Sequence, residues 1–309
     1  MKPILPPLAD EPVVSVLTTS YNHRRWVQDT INSVANQTYP HIQHVIIENG
    51  STDGSQQFLK SVATKQSITY LSDNIGQANA VNRAFHSSDG QIIGWLNSDD
   101  VYFSPTVVAR VVRVFRSNPD IAAVYGHAVL IGSDGLVLQT LWVPPHTRLA
   151  RRLLPIGVVA STMFVRREAV GPEFVDPTFD IAMDQELYLR LARSHRLRRL
   201  GSILSGDRHH RLRKSLTLTA RMLREDALLV TAGYYGPRRT LFGNRTWRLI
   251  YRAMGLMLVH KAASDDLAFS GRRDGIWPLV RRQLVTRRKD MFEDPADIGG
   301  PDAADGEPA

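Results

Sequence analysis

A few short stretches of this chain place carboxylates or histidines together, and cysteine is absent altogether. Asn97-Ser98-Asp99-Asp100 follows the apolar run Ile92-Ile-Gly-Trp-Leu96. Adjacent carboxylates at the end of a buried strand repel each other, and a divalent cation or solvent between them relieves the repulsion. The competing reading is a surface turn in which Asp caps the next helix. Glu48 ends His44-Val-Ile-Ile. It can accept hydrogen bonds from a ribose or a base edge, or simply cap a turn. Asp184 and Glu186 open an amphipathic segment. The helix dipole alone favours acids there, and such an acid can also serve as a general base. His209-His210 precede Arg211-Leu-Arg-Lys214, a cluster suited to a metal, a diphosphate or plain solvent. Without thiolates, any metal must take oxygen and imidazole ligands, which favours Mg²⁺ or Mn²⁺.

The elements that must carry these residues are legible in the hydrophobic pattern. Val13–Thr19, His44–Glu48, Ile68–Leu71 and Gln91–Leu96 are short β-branched or apolar runs and predict buried strands. Between them, Arg25–Asn36, Gln56–Ala63 and Gly76–Phe85 have helical spacing, with Pro40 beyond the first as a stop. Strand and helix alternate, which predicts an α/β fold with a parallel sheet covered on both faces. Ligands in such sheets sit beyond the carboxyl ends of the strands. Thr19-Ser-Tyr21-Asn, Glu48-Asn-Gly-Ser-Thr-Asp53 and Asn97–Asp100 all fall at such ends. Further on, Ala122–Tyr125, Ala128–Ile131, Leu136–Trp142 and Ser161–Val165 read as strands, with Gly132-Ser-Asp-Gly135 as a hairpin turn. Asp184–Arg193, Arg221–Gly233 and Arg245–Lys261 read as helices.

The chain has 309 residues, 43% of them hydrophobic, enough for a substantial core. Its net charge of +8 is unevenly placed. Residues 208–290 hold 19 basic and 6 acidic residues, while residues 291–309 hold 6 acids and no base. The division expected is an N-terminal tail (1–12), a catalytic domain (13–217), a basic helical segment (218–290) and a disordered acidic tail (291–309). The basic segment would face anionic lipid, a phosphorylated substrate, nucleic acid or only water. No zinc-finger, stacking-sheet or helix-turn-helix signature points to nucleic acid. No signal peptide or membrane-length apolar run is visible. The expected location is the cytoplasm, with peripheral contact at the inner face of a membrane.

Taken in order, the clusters resemble the nucleotide-sugar half of the family-2 glycosyltransferases. The motifs are strand-Thr-Ser-Tyr-Asn22, strand-Glu48-Asn-Gly-Ser-Thr-Asp-Gly54, Asp73-Asn-Ile-Gly-Gln-Ala-Asn-Ala-Val-Asn82-Arg-Ala84 and Gly94-Trp-Leu-Asn-Ser-Asp-Asp100. Met183-Asp-Gln-Glu-Leu-Tyr-Leu-Arg-Leu191 looks like that family's acceptor-side helix. The resemblance runs from about Val13 to about Thr217. It implies a GT-A type fold, a Rossmann-like and mostly parallel sheet flanked by helices, here with a C-terminal helical basic extension. It implies a donor of the nucleoside-diphosphate-sugar class, of UDP or dTDP type, and a glycan or lipid-linked acceptor of the cell envelope.

Roles follow motif by motif from the resemblance. Thr19 and Tyr21 would border the base and Glu48 would recognise the nucleoside. Asp73, Asn82, Asn97 and Ser98 would line the donor site. Asp99, with Asp100, would hold Mn²⁺ or Mg²⁺ on the diphosphate, and His210 or His209 would reach the metal. Asp184 would deprotonate the acceptor hydroxyl in one inverting displacement. Four features depart from the family pattern: Glu48, followed by Asn49 in place of a second acid, stands where Asp is usual, Asn97 opens the metal motif in place of Asp, Met183 precedes the catalytic acid where Glu is frequent, and the histidine pair is one residue off the common spacing to Ser215 and Thr217. The rival enzyme reading, a nucleotidyltransferase, wants a glycine-rich, lysine-bearing phosphate loop after the first strand, and Thr19-Ser-Tyr-Asn-His-Arg24 is not one. The other rival is a non-catalytic binder of nucleotide sugars or anionic surfaces.

Overall fold

The computed structural model describes residues 4–62, 67–71, 73–147, 158–210, 213 and 219–232. The first half of the fold is a strand–helix alternation: β1 (Val14–Ser20), α1 (Val27–Ala35), β2 (Ile42–Glu48), α2 (Ser55–Val62), β3 (Ser67–Tyr70), α3 (Gln77–His86) and β4 (Ile92–Trp95). Every residue of β1 is buried, because β2 and β4 pair with it on either side and helices cover both faces. The alternation of side chains divides the core. Leu17, Ile47, Ile93 and Trp95 pack with residues of α3, whereas Val14, Val16, Ile92 and Leu96 face the opposite layer. These strands run parallel in the order β3-β2-β1-β4, so their polar carboxyl ends meet along one edge.

Beyond β4 the sheet becomes mixed. The next elements are β5 (Val101–Tyr102), α4 (Val107–Ser117), β6 (Ile121–Ile131), β7 (Val137–Leu141) and β8 (Phe164–Arg166). They are followed by α5 (Met183–Ser194), β9 (Arg196–Arg208) and α6 (Thr219–Thr231). β8 pairs antiparallel with both β4 and β6, while β9 runs parallel to β6 and antiparallel to β5. The resulting order, β3-β2-β1-β4-β8-β6-β9-β5 with β7 on β6, matches the expected α/β class with a parallel half and a mixed half.

Several elements differ from the sequence expectation. Ala122–Tyr125 and Ala128–Ile131 are one continuous strand, β6, carried through Gly126. A Cβ at Gly126 would lie 2.6 Å from Leu204, so the glycine lets β9 close against β6 and does not end the strand. Ser161 and Thr162 belong to a 3₁₀ turn that precedes β8. β5, α4 and β9 were not anticipated. In α4, Val107, Val108, Val111, Val112 and Phe115 are buried. The expected tail at the N-terminus lies against the body: Leu5 is buried, Tyr39 donates to the Pro12 carbonyl at 2.7 Å, and Arg166 bonds the Pro6 carbonyl. The expected helix Arg245–Lys261 and the acidic tail fall outside the described residues. Among the described residues no helix is long and apolar enough to cross a membrane.

Candidate active site

The β5–β9 pairing explains how residues a hundred positions apart meet. Val101 lies opposite Gly206, so the end of β9 delivers Asp207, Arg208, His209 and His210 beside Asp99 and Asp100. Arg208, almost fully buried, fixes this junction. Its backbone N–H donates to Asp100 Oδ1 at 2.9 Å and its Nε to the Asp99 carbonyl at 2.8 Å, while Nη2 pairs with Asp29 at 3.0 Å.

His23 arrives from the other side. Asn22 has φ 55°, one of the few side-chain-bearing types that tolerates the left-handed region. Its amide side chain accepts from Thr52 N–H at 2.9 Å and its own N–H donates to Ser51 Oγ at 2.9 Å. The chain reverses there and sends His23 inward, with Nδ1 2.8 Å from Ser98 Oγ and 3.9 Å from Asp99 Oδ1. His210 approaches the second oxygen of the same carboxylate, Nε2 to Oδ2 at 3.0 Å. The Trp26 ring packs on His210 with centroids 4.1 Å apart, which holds the imidazole in place.

One ligand atom each from His23, Asp99 and His210 lie within 4.8 Å of one another. Donors about 2.1 Å from a shared ion stand about 3–4 Å apart, so this set fits a divalent cation with little adjustment. Asp100 is not in this set; its oxygens accept from Arg208 N–H and from Asn97 Nδ2 at 3.5 Å.

The electrostatics separate the acids. Burial alone would raise the Asp99 carboxyl, but His23, the His210 hydrogen bond and charge, and Arg213 outweigh it and hold the group well below the usual carboxylate range. Asp100 is pushed up by burial and by its acidic neighbours Asp207 and Asp99. Asp207 is also raised, by burial first, although Arg213 pairs with it at 2.8 Å. Asp184, the second residue of α5, is raised to about 7, chiefly by burial, while the Gln185 N–H that donates to it at 2.7 Å pulls the other way.

Apart from His210, which stands behind Asp99, these groups line one cleft of about 560 Å³ along the carboxyl ends of the parallel strands. Thr19, Tyr21, Asn97, Asp99, Asp100 and Asp184 all face it, joined by His23, Asp207 and Arg213. The remaining residues singled out from the sequence lie elsewhere. Glu48 is fully buried behind the cleft wall, where it accepts from Ser51 N–H at 2.9 Å and leaves Oε2 without a hydrogen-bond partner. Ser98 is buried beneath His23. Asp73 is exposed on the turn against which Gly50 packs. Asn82 faces away from the cleft and clasps Val175 through both its backbone groups at 2.9 Å. His210 and not His209 is the histidine grouped with Asp99.

His23 and Asp207 were missed by sequence reasoning. His23 is one turn residue among many, and only the left-handed bend at Asn22 aims it; Asp207 belongs to the unanticipated β9. The histidine pair immediately after Asp207 was the available signal.

Comparison with known proteins bears on this arrangement. The family model described as Glycosyl transferase family 2 matches residues 15–171. A Bacillus subtilis protein, TuaG, provisionally named a teichuronic acid biosynthesis glycosyltransferase, is 38% identical over 165 residues, 52% of this chain and 65% of that protein. The chondroitin synthase of Pasteurella multocida is 27% identical over 205 residues, 63% of this chain and 21% of that one. The chain thus spans less than two thirds of the length of either relative. Among solved structures, the mannosyltransferase PcManGT of Pyrobaculum calidifontis, in complex with GDP-Man and Mn²⁺, superposes with a TM-score of 0.57 at 15% identity, covering 92% of this chain and 87% of that one. Staphylococcus aureus TarS 1-349 in complex with UDP gives 0.53 at 14% identity, over 78% and 70% of the two chains. At these identities the structural likeness speaks for the GT-A fold.

Proposed function

This chain belongs to glycosyl transferase family 2, and from that premise we propose that it moves a sugar from a nucleoside-diphosphate sugar to a hydroxyl of a glycan or lipid-linked acceptor, with inversion. The observation that carries the reading is the geometry of one cleft, in which Asp99 stands between His23 and His210 and Asp184 lies apart from them at the start of α5. Asp99 is kept ionised between two imidazoles, while Asp184 is raised to about 7. Acids pushed apart in this way take different roles.

Asp99, His23 and His210 would hold Mn²⁺ or Mg²⁺. A cation beside Asp99 would offset the repulsion between this carboxylate and a bound diphosphate. When bound, such an ion offsets the charge that builds on the departing nucleoside diphosphate. Thr19, Tyr21 and Asn97 are assigned to the donor, with Glu48 supporting the nucleoside end and Arg213 available to phosphate oxygens. Asp184 accepts the proton of the acceptor hydroxyl as its oxygen bonds to the anomeric carbon and the bond from that carbon to the diphosphate oxygen breaks. No covalent enzyme intermediate is required.

A UDP or dTDP donor is the preferred assignment. Solved structures of this fold carry UDP or GDP-Man, which supports the nucleotide-sugar class. Relatives named for teichuronic acid and chondroitin support a cell-envelope polysaccharide as acceptor. The basic sequence that follows α6, as far as residue 290, is assigned to an anionic surface close to that acceptor. The test is a thermal-shift panel of UDP, dTDP and GDP with and without Mn²⁺. A ligand at a hundred times its Kd adds about 2.7 kcal/mol to stability, a shift of several degrees. The expected rise requires nucleotide and Mn²⁺ together. No shift with any nucleoside diphosphate in the presence of Mn²⁺ would contradict the proposal.

A further inference from the structure

Asp184 lies beyond the stretch that the family model matches, in the first turn of α5. The residue before α5 is Ala182, and no side chain of that residue satisfies the first amides of the helix. One of those amides, Gln185 N–H, is met by Asp184 itself, and the three amides just before the helix, 180–182, find their acceptor on α6. Glu225 Oε1 accepts from Asp180 N–H at 2.9 Å, and Oε2 accepts from Ile181 N–H and Ala182 N–H at 2.8 Å each. Three successive amides thus converge on one carboxylate that is itself only 4% exposed.

The clamp is reinforced on both sides. Arg221, one turn earlier on α6, donates to Glu225 Oε1 at 3.1 Å and pairs with Asp180 at 3.0 Å. Leu229, one turn later, is buried in the same core cluster as Met183 and Leu187. Burial opposes ionisation of Glu225, but the three amides and Arg221 overcome it and hold the carboxyl below its ordinary range. Of the clamped segment, Asp180 and Ile181 line the cleft beside Met183 and Asp184.

We infer that Glu225 is a positioning residue for the transfer reaction: by gripping the amides of 180–182 it fixes the entry of α5, and so the place of Asp184 relative to the acceptor hydroxyl. The inference rests on the reading of Asp184 as the base. A carboxylate is required because a glutamine presents one acceptor oxygen and an N–H₂ group that cannot accept. Displacing a reacting group by about 1 Å costs up to about a hundredfold in rate.

The experiment compares wild type, Glu225→Gln and Asp184→Asn in the full chain. It follows amide hydrogen exchange of the peptide spanning 178–184, Mn²⁺–UDP affinity by calorimetry, and turnover of UDP-GlcNAc and GDP-mannose. In the wild type, exchange at 180–182 is expected to be as slow as in β1. Glu225→Gln is expected to speed that exchange and to lower kcat about 10- to 100-fold, with Mn²⁺–UDP affinity within twofold of wild type. Fast exchange at 180–182 in the wild type would overturn the clamp even if the variant did not fold. Wild-type kcat in Glu225→Gln, beside an inactive Asp184→Asn, would overturn positioning while leaving the base in place. Wild-type kcat in Asp184→Asn would remove the base assignment, and the positioning role with it.

Discussion

His23, Asp99 and His210 make a donor set of one carboxylate and two imidazoles, and that mixture has consequences for metal choice. Imidazole suits first-row transition ions better than Mg²⁺, which prefers oxygen and keeps its water. Mn²⁺ is therefore expected to bind more tightly than Mg²⁺, with His23→Ala narrowing the difference and Asp99→Asn abolishing both, as read by calorimetric titration of the metals alone. Equal affinities for both ions in the wild type would contradict the assignment. Asp184 makes a second residue-level case. Only its ionised form accepts a proton, so turnover should rise with pH through about 7 and level off above. The same shift has a cost in stability. A carboxyl whose folded pKa exceeds its unfolded value of about 3.9 contributes stability that is complete below that value and lost as pH rises through the folded pKa. Asp184→Asn removes the ionisation, so its Tm should exceed that of wild type at pH 8 and approach it at pH 4. A Tm below wild type at pH 8 would show that the ionised carboxylate is not under strain. Asp99 and Asp184 were legible in the sequence because each sits next to a recognisable element. His23 was not, because its part depends on a backbone bend and on a partner 76 positions away.

At the scale of elements, the first hundred residues were readable because each strand, turn and helix is local and its hydrophobic period is clean. α4 was missed although Val107, Val108, Val111, Val112 and Phe115 mark one face and Arg110, Arg113 and Arg116 occupy positions between them. Its valines carry strand propensity, and packing against β6 overrides it. Truncating Phe115 to Ala should cost about 3–5 kcal/mol in urea unfolding, the usual range for emptying an aromatic site in a core. β9 was missed because its outer half alternates arginine with partly buried residues and only Ile203 to Arg208 is buried throughout. That strand matters most for the site, since it carries Asp207 and leads into His210. It packs closely on β6 at Gly126, where the pairing register shifts. Gly126→Ala should destabilise by about 1–3 kcal/mol, the range for overpacking, and the double variant with Leu204→Ala should lose less than the two single losses added together. Full stability of Gly126→Ala would show that β6 and β9 are not in close contact there.

For the whole molecule, the charge distribution and the fold make different statements. The described body gathers Asp99, Asp100, Asp180, Asp184 and Asp207 in the cleft and uses α6 to hold α5, so the first helix of the basic C-terminal segment is part of the scaffold of the site. The arginine-rich sequence that follows it contributes charge. Each basic residue near an anionic membrane adds about 1 kcal/mol, so co-sedimentation with anionic liposomes at low salt, lost as salt rises, is the expected behaviour. Equal recovery in the supernatant with anionic and neutral liposomes would reject it. Neither that surface nor the acceptor decides the central claim, which is transfer from a nucleotide sugar with Asp184 as base. The most direct measurement is release of nucleoside diphosphate from a panel of UDP-, dTDP- and GDP-sugars with Mn²⁺, comparing wild type with Asp184→Asn. The account predicts release by the wild type from at least one donor and a loss of about 10²–10⁴-fold in the variant, the scale of a missing general base, with Mn²⁺–UDP binding retained. Release by Asp184→Asn at the wild-type rate, or no release by the wild type from any donor, would contradict it.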